Sequence, residues 1–442
     1  MIRRLLLTTL ALLALITGVA GTAFAHNSLD ASTPADGATV DLAPADVLLV
    51  FAKDVPLDTL TVTHTDPTGV RTELPGSRHG ASAREVLTPL PALAAGEHSV
   101  RWRLVGDDGH AVTGRVQFTV TTGAVTTTVP TAVAPTTTTI ATEVSDAGAD
   151  DEGTGGTPDW IRWLLRYASY LALMLVAGVL AVEAFVWRRP MAARYRALVT
   201  QALAAIALLA LLQLAVLAGD ITGNAAWSSL GSLGTAAEHP VGVALMIRIV
   251  LAFAAWLLVA YQRPTNDDIA AGVVALLSLG MLATWSFTGH ARTMRWPWLG
   301  VPLDMAHHAA AAAWIGGLLA LAVYALPTRQ LDDSIDLAHR FSRLAARAVA
   351  VIVATGVLQT VRLDGTALLT TTHGRLVLAK VVLLGVMLWM ADRNRRLVLA
   401  RFQPDVVGAT DVTLLRRMMW RELAVGVVVL GVTASLVVQP PG

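Results

Sequence analysis

The chain has 442 residues, of which 54% are hydrophobic before its 35 glycines are counted and only 15% are charged. That is well above the ~45–50% apolar share, glycine included, of an ordinary soluble domain, so a disordered chain is excluded and a purely soluble enzyme is disfavoured. The net charge of +1 leaves no footprint for nucleic acid, and the absence of cysteine excludes disulfides, iron–sulfur clusters and thiolate zinc sites.

Residues 1–25 read as a secretory signal peptide. Arg3 and Arg4 form a basic start, Leu5 to Ile16 an apolar stretch, and Ala23-Phe24-Ala25 a small-x-small cleavage site. Cleavage there makes His26 the first mature residue. Residues 26–122 read as a small all-β domain, a Greek-key β-sandwich. Val47–Val55, Leu60–His64, His98–Val105 and Arg115–Val120 are β-branched runs bounded by Gly, Pro and Asp. Val100, Trp102 and Leu104 alternate with Arg101 and Arg103, as on a half-buried strand. Residues 123–158 are rich in Thr, Pro, Ala and Gly, with too few large apolar side chains for a core, and read as an extracytoplasmic linker.

Residues 159–442 read as an all-α polytopic membrane domain. Eight spans are expected near 162–187, 197–218, 240–262, 268–288, 303–326, 341–361, 375–391 and 416–438. A signal peptide puts the β domain outside the plasma membrane, so alternate loops are cytoplasmic. Those loops carry fourteen arginines against six on the outer side, which obeys the positive-inside rule.

Any bound metal must be held by His, Asp, Glu, Met or the backbone. An N-terminal His26 offers an amine and an imidazole in one chelate. Asp108 and His110 lie two residues apart, on one strand face or converging in a turn. Together they make a nitrogen and oxygen set suited to tetragonal Cu(II). His64, His79 and His98 read as surface residues. In the membrane half, ionisable groups within spans are functional candidates. His290 follows the fourth span, and Asp304, His307 and His308 share one side of the fifth. With His290 and His307 at one depth, the pair reads as an outer metal gate, with Met281 as a softer ligand below it. His308 and His373 are weaker candidates, Arg248 and Lys380 cations that snorkel or neutralise acidic neighbours, and Glu183 and Glu422 relays or partners of cytoplasmic arginines. Gly316-Gly317 reads as a close helix contact.

Two stretches resemble known families. His26-Asn27-Ser28-Leu29, Ser32-Thr33-Pro34-Ala35-Asp36-Gly37-Ala38, Leu49-Val50-Phe51, Val100-x-Trp102, Asp108-Gly109-His110 and Gly114-x-x-x-Phe118-x-Val120 are similar to the CopC copper-binding domain. That resemblance implies Cu(II) ligation by His26, Asp108 and His110. Lys53 stands where many members carry a glutamate, and whether Asp54 compensates is open. Ser28 replaces a histidine common at the third mature position. Thr288-Gly289-His290-Ala291, Asp304-x-x-His307, Trp314-Ile315-Gly316-Gly317-Leu318, Phe341-Ser342-Arg343, Thr355-Gly356-Val357, Thr372-His373-Gly374-Arg375, Lys380, Asn394-Arg395 and Glu422 resemble the CopD family. His373 stands where that family usually has tyrosine.

The expectation is a CopC-CopD fusion that binds copper outside the cell and moves it across the plasma membrane, and is not an enzyme. The metal ligands expected are His26, Asp108, His110, His290 and His307. The partners are copper ion and the lipid bilayer, with no nucleic acid; a copper chaperone or reductase, and Cu(I) or Cu(II) in the bundle, stay open. No nucleotide-binding motif is present. The alternatives are a haem- or copper-containing membrane redox protein, with His290 paired to His307 or His373 as haem ligands, and a membrane-anchored copper buffer or sensor.

Overall fold

The computed structural model describes residues 29–106, 109, 111–122, 156–187, 193–261, 268–294, 296–326, 331–363, 368–369 and 371–437. The expected signal peptide and nearly all of the expected linker lie outside them, as do His26, Asp108 and His110. The chain forms two compact units, one taking in His26–Asp159 with Ala215–Ala236, the other Trp160–Leu214 with the chain from Ala237 onward.

The first unit is built on nine described strands: β1 (Leu29–Thr33), β2 (Ala38–Leu42), β3 (Asp46–Phe51), β4 (Leu60–Thr65), β5 (Arg71–Glu73), β6 (Arg78–His79), β7 (Glu85–Pro89), β8 (Gly96–Val105) and β9 (Ala111–Thr122). They form two sheets, β1-β3-β7-β6 and β2-β9-β8-β4-β5. All pairings are antiparallel except β2 with β9. The period-2 pattern decides the faces. Val47, Leu49 and Phe51 point inward from β3, and Val100, Trp102 and Leu104 from β8. Phe51 meets Trp102 edge-on across the sandwich, ring centroids 5.0 Å apart. Each such buried side chain contributes about 1.5–3 kcal/mol. Gly114, opposite Trp102 in the β8–β9 ladder, leaves room for the indole; a Cβ there would overlap the ring. The strand expected over 47–55 ends at Phe51, and 52–53 bend away.

The second unit is helical: α1 (Asp159–Val182), α2 (Ala193–Thr222, whose end from Ala215 belongs to the first unit), α3 (Pro240–Tyr261), α4 (Asp268–Ser286), α5 (Pro297–Ala311), α6 (Leu331–Leu363), α7 (Thr372–Arg401) and α8 (Ala409–Leu436). Among the described residues, seven helices are long and apolar enough to cross a membrane, α5 continuing through π-helical turns to Val323. The eighth expected span is α4. Its apolar part, Gly272–Ser286, is about 22 Å long at 1.5 Å per residue, short of a ~30 Å hydrocarbon core. α6 and α7 overrun the apolar windows read from sequence, because their charged ends stay helical. Gly178 of α1 and Gly316 meet so closely that a Cβ on either would strike the other helix's backbone. Small residues thus bring α1 against the π-helical turn Ala312–Gly316, as expected for Gly316-Gly317.

Candidate metal centres

In the β domain, the described residues flanking the expected ligands come together. Leu29, which opens β1, pairs with Phe51; Phe51 packs on Trp102; and Trp102 lies just before the end of β8. Val105 pairs with Ala111, so β8 finishes and β9 starts at that same end. Thr59 Oγ1, which donates to the Val105 carbonyl at 2.9 Å, ties the turn after Val55 to it. Residues 53–54 follow β3 there.

Two histidines are placed differently from the expectation. His64 and His98 are 3% and 1% exposed, not on the surface. Nε2 of His64 and Nδ1 of His98 share a hydrogen bond of 2.9 Å, and Nε2 of His98 bonds the Ala94 carbonyl at 2.9 Å. The latter bond makes Nε2 of His98 the donor and Nδ1 the acceptor, so Nε2 of His64 carries a proton. Burial, and then the neighbouring His98, hold the His64 imidazole below its usual range. His79 is exposed, as expected, and bonds the Val55 carbonyl at 2.9 Å.

In the helical unit the polar residues converge on Asp304 of α5. Ser286 of α4 donates to its Oδ2 at 2.7 Å, and Gln359 of α6 donates to its Oδ1 at 3.1 Å. Nδ1 of His308, one turn on, lies 3.3 Å from Oδ2. The His308 ring stacks against Tyr170 of α1 and tilts against Trp285 of α4. Arg248 of α3 is 3% exposed and does not snorkel. It donates to Thr284 at 2.8 Å, reaches Gln213 at 3.4 Å and lies 4.9 Å over the Trp285 ring. Lys380 of α7 is a charged neighbour of both Asp304 and His307. Burying this many polar groups between apolar helices is costly unless they serve one another or a ligand.

His307 is oriented by a partner on α6. Nδ1 lies 2.9 Å from Oγ1 of Thr355 on α6. The Thr355 hydroxyl spends its own proton on the Val351 carbonyl at 2.7 Å, so it accepts from the imidazole. Nδ1 therefore carries the proton and Nε2 carries the lone pair, the tautomer that ligates through Nε2. Gly356 lies beside the ring, where a Cβ would sit 3.6 Å from Cε1.

His290 stands elsewhere. It is 7% exposed and opens the short helix His290–Thr293, its carbonyl accepting from Arg362 at 3.2 Å. Gly300 sits against the Ala291 carbonyl and Arg362, so His290 is level with the first turn of α5. His307 is seven residues farther along, about 10 Å deeper. The expected equal depth is not found. Met281 is fully buried in the apolar core, and His373 is 2% exposed at the start of α7. Among the described residues no three His, Asp or Glu side chains converge as a metal cage.

Toward the other end of the bundle, Glu422 of α8 is 1% exposed. Trp314 donates to its Oε1 at 2.8 Å and Asn394 of α7 donates to its Oε2.

Comparison with known proteins assigns both units. The CopC domain profile matches residues 29–121. The profile described as copper resistance protein D-like, N-terminal domain, matches 157–301, and that of copper resistance protein D matches 335–436. Copper resistance protein C of Pseudomonas syringae pv. tomato is 34% identical over 114 residues, which are 23% of this chain and 86% of that protein. The chain belongs to the CopC–CopD copper resistance family. Copper transport protein CutJ of Bacillus subtilis (strain 168) is 25% identical over 403 residues, 85% of this chain and 70% of that one, so both CopC and CopD regions recur together in a relative. The crystal structure of CopC from Methylosinus trichosporium OB3b covers 22% of this chain and 95% of its own, with 31% identity and a TM-score of 0.21. Of the CopD motifs, the Asp304 and His307 phrase and the Thr355-Gly356 phrase meet in space, while Ser286 and Gln359, which hold Asp304, carried no signal of their own in the sequence.

Proposed function

We propose that this CopC–CopD fusion captures Cu(II) outside the plasma membrane on its β domain and passes copper through its helical unit. His26, Asp108 and His110 form the capture site, which the convergence of Leu29, Phe51, Trp102 and the β8–β9 hairpin at one end of the sandwich supports. His290 near the membrane surface and His307 deeper in act as successive stations rather than as one gate. The observation that carries the reading is the His307–Thr355 hydrogen bond, which presents the Nε2 lone pair inside an apolar bundle beside the Asp304 cluster. The names of the relatives agree: one is a copper transport protein and another a copper resistance protein. The chain then works as a binder and carrier, not as a catalyst.

The capture site is tested by paramagnetic resonance of Cu(II)-loaded full-length protein. A tetragonal spectrum with nitrogen coupling is expected, and His110→Ala or Asp108→Ala should weaken Cu(II) binding while His79→Ala leaves it intact. An unchanged spectrum and affinity in His110→Ala would remove that ligand from the assignment.

A further inference from the structure

The Glu422 site is not used by the copper route proposed above. Glu422, Asn394 and Trp314 line a cavity of about 150 Å³, together with Phe341, Ser342 and Met419. The other charged groups lining it are Asp392 and Arg395, both of α7; α5 and α6 contribute none. Asp392 is engaged by Arg396 at 2.7 Å. Glu422 meets only neutral partners, the Trp314 indole and the Asn394 amide, and no ion pair to it is present among the described residues. A carboxylate sealed between helices without a counter-cation is strongly penalised.

Asn394 supplies the second observation. It is 8% exposed, and its amide N–H is spent on Glu422. Its Oδ1 is buried and accepts no hydrogen bond among the described residues. An amide present only to brace Glu422 would have both ends satisfied, as buried polar groups generally do. Here the carbonyl oxygen is left over on the wall of a cavity that also holds the carboxylate. Trp314, which fixes the other carboxylate oxygen, sits in the π-helical turn Ala312–Gly316, an irregularity that recurs at functional sites.

We propose that Glu422 and Asn394 form a binding site for a small hard cation, a proton or a sodium ion, distinct from the copper ligands. A carboxylate and an amide oxygen, with no imidazole among the described residues lining the cavity, are hard donors that suit these ions, whereas the copper sites proposed above are built on histidine nitrogen. Resting on the transport reading, the bound cation is the coupling ion of a carrier that contains no nucleotide-binding motif.

The test is infrared difference spectroscopy on purified full-length protein, exchanging potassium for sodium at fixed pH in one arm and lowering pH at fixed sodium in the other. A carboxyl band that responds in wild type and is missing in Glu422→Gln supports the site, and the responding arm identifies the ion. No response in either arm, or the same response in Glu422→Gln, overturns it. Asn394→Leu keeps the carboxyl and removes both the open oxygen and the donor to Glu422, so the apparent sodium affinity should fall about tenfold, the loss of one charge-assisted contact. Unchanged affinity in that variant overturns the two-oxygen seat. Copper flux is measured separately in liposomes. A cation-dependent band without copper flux sinks the transport reading and leaves the site standing; flux without the band does the reverse.

Discussion

Nδ1 of His307 donates to Oγ1 of Thr355 across 2.9 Å, joining α5 to α6 and fixing which imidazole nitrogen stays open. Outer partners of this kind typically set metal affinity by 10–100-fold. Thr355→Val, which keeps shape and removes the acceptor, should therefore reduce copper flux by about tenfold or more, while Thr355→Ser restores it. Flux assays in liposomes with both variants check this. Equal flux in Thr355→Val and wild type would make the bond a packing detail.

Asp304 is held by Ser286, Gln359 and His308 from three helices. Asp304→Asn keeps the volume but removes the charge facing His308 and Lys380. We expect folded protein with copper flux lowered about 10–100-fold, as for other orienting carboxylates. Gln359→Leu should cost less, because it removes one neutral bond. The order of the two effects, read in the same flux assay, is the check.

The buried His64–His98 pair predicts the pH dependence of β-domain stability. The folded-state pKa of His64 lies below the ordinary value of 6.5, so the unfolded chain binds the proton more readily. The stability it contributes is fully present above about pH 6.5 and is lost as pH falls toward the lowered folded value. Thermal melts of the β domain between pH 8 and pH 5 should show a falling Tm. A double His64→Gln, His98→Gln variant should flatten the fall over that window; an identical slope in the variant would contradict the assignment.

That pair also shows what the sequence made legible. Alternation along β8 placed Val100, Trp102 and Leu104 inward, and the same phase puts His98 inward, as Val62 does for His64 on β4. The signal was present, but polarity outweighed phase in the surface reading. Hydropathy located the helices because burial in lipid demands long apolar runs. It could not show that Ser286 and Gln359 would meet Asp304, since pairs contributed by different helices depend on packing angle and rotation. His290 is not level with His307 because the short helix His290–Thr293 and the first turns of α5 intervene, which spacing alone does not reveal.

Close approach by glycine gives a stability prediction in each unit. Gly114→Ala should drive a methyl into the Trp102 indole and cost about 1–3 kcal/mol. Gly316→Ala should force α1 away from the π-helical turn of α5, with a similar cost of about 1–3 kcal/mol. Melting temperatures of the β domain and of the detergent-solubilised chain report the two separately. A wild-type Tm in either variant would contradict the packing described.

The most direct test of the whole account is copper uptake into liposomes containing the full chain, compared with empty liposomes and with the His307→Ala protein. The account predicts saturable copper accumulation by the full chain that falls to near the empty-liposome level in His307→Ala, with the β domain of that variant still loading Cu(II). Copper accumulation undiminished in His307→Ala, or a wild-type chain that binds Cu(II) yet moves no more copper than empty liposomes, would contradict it.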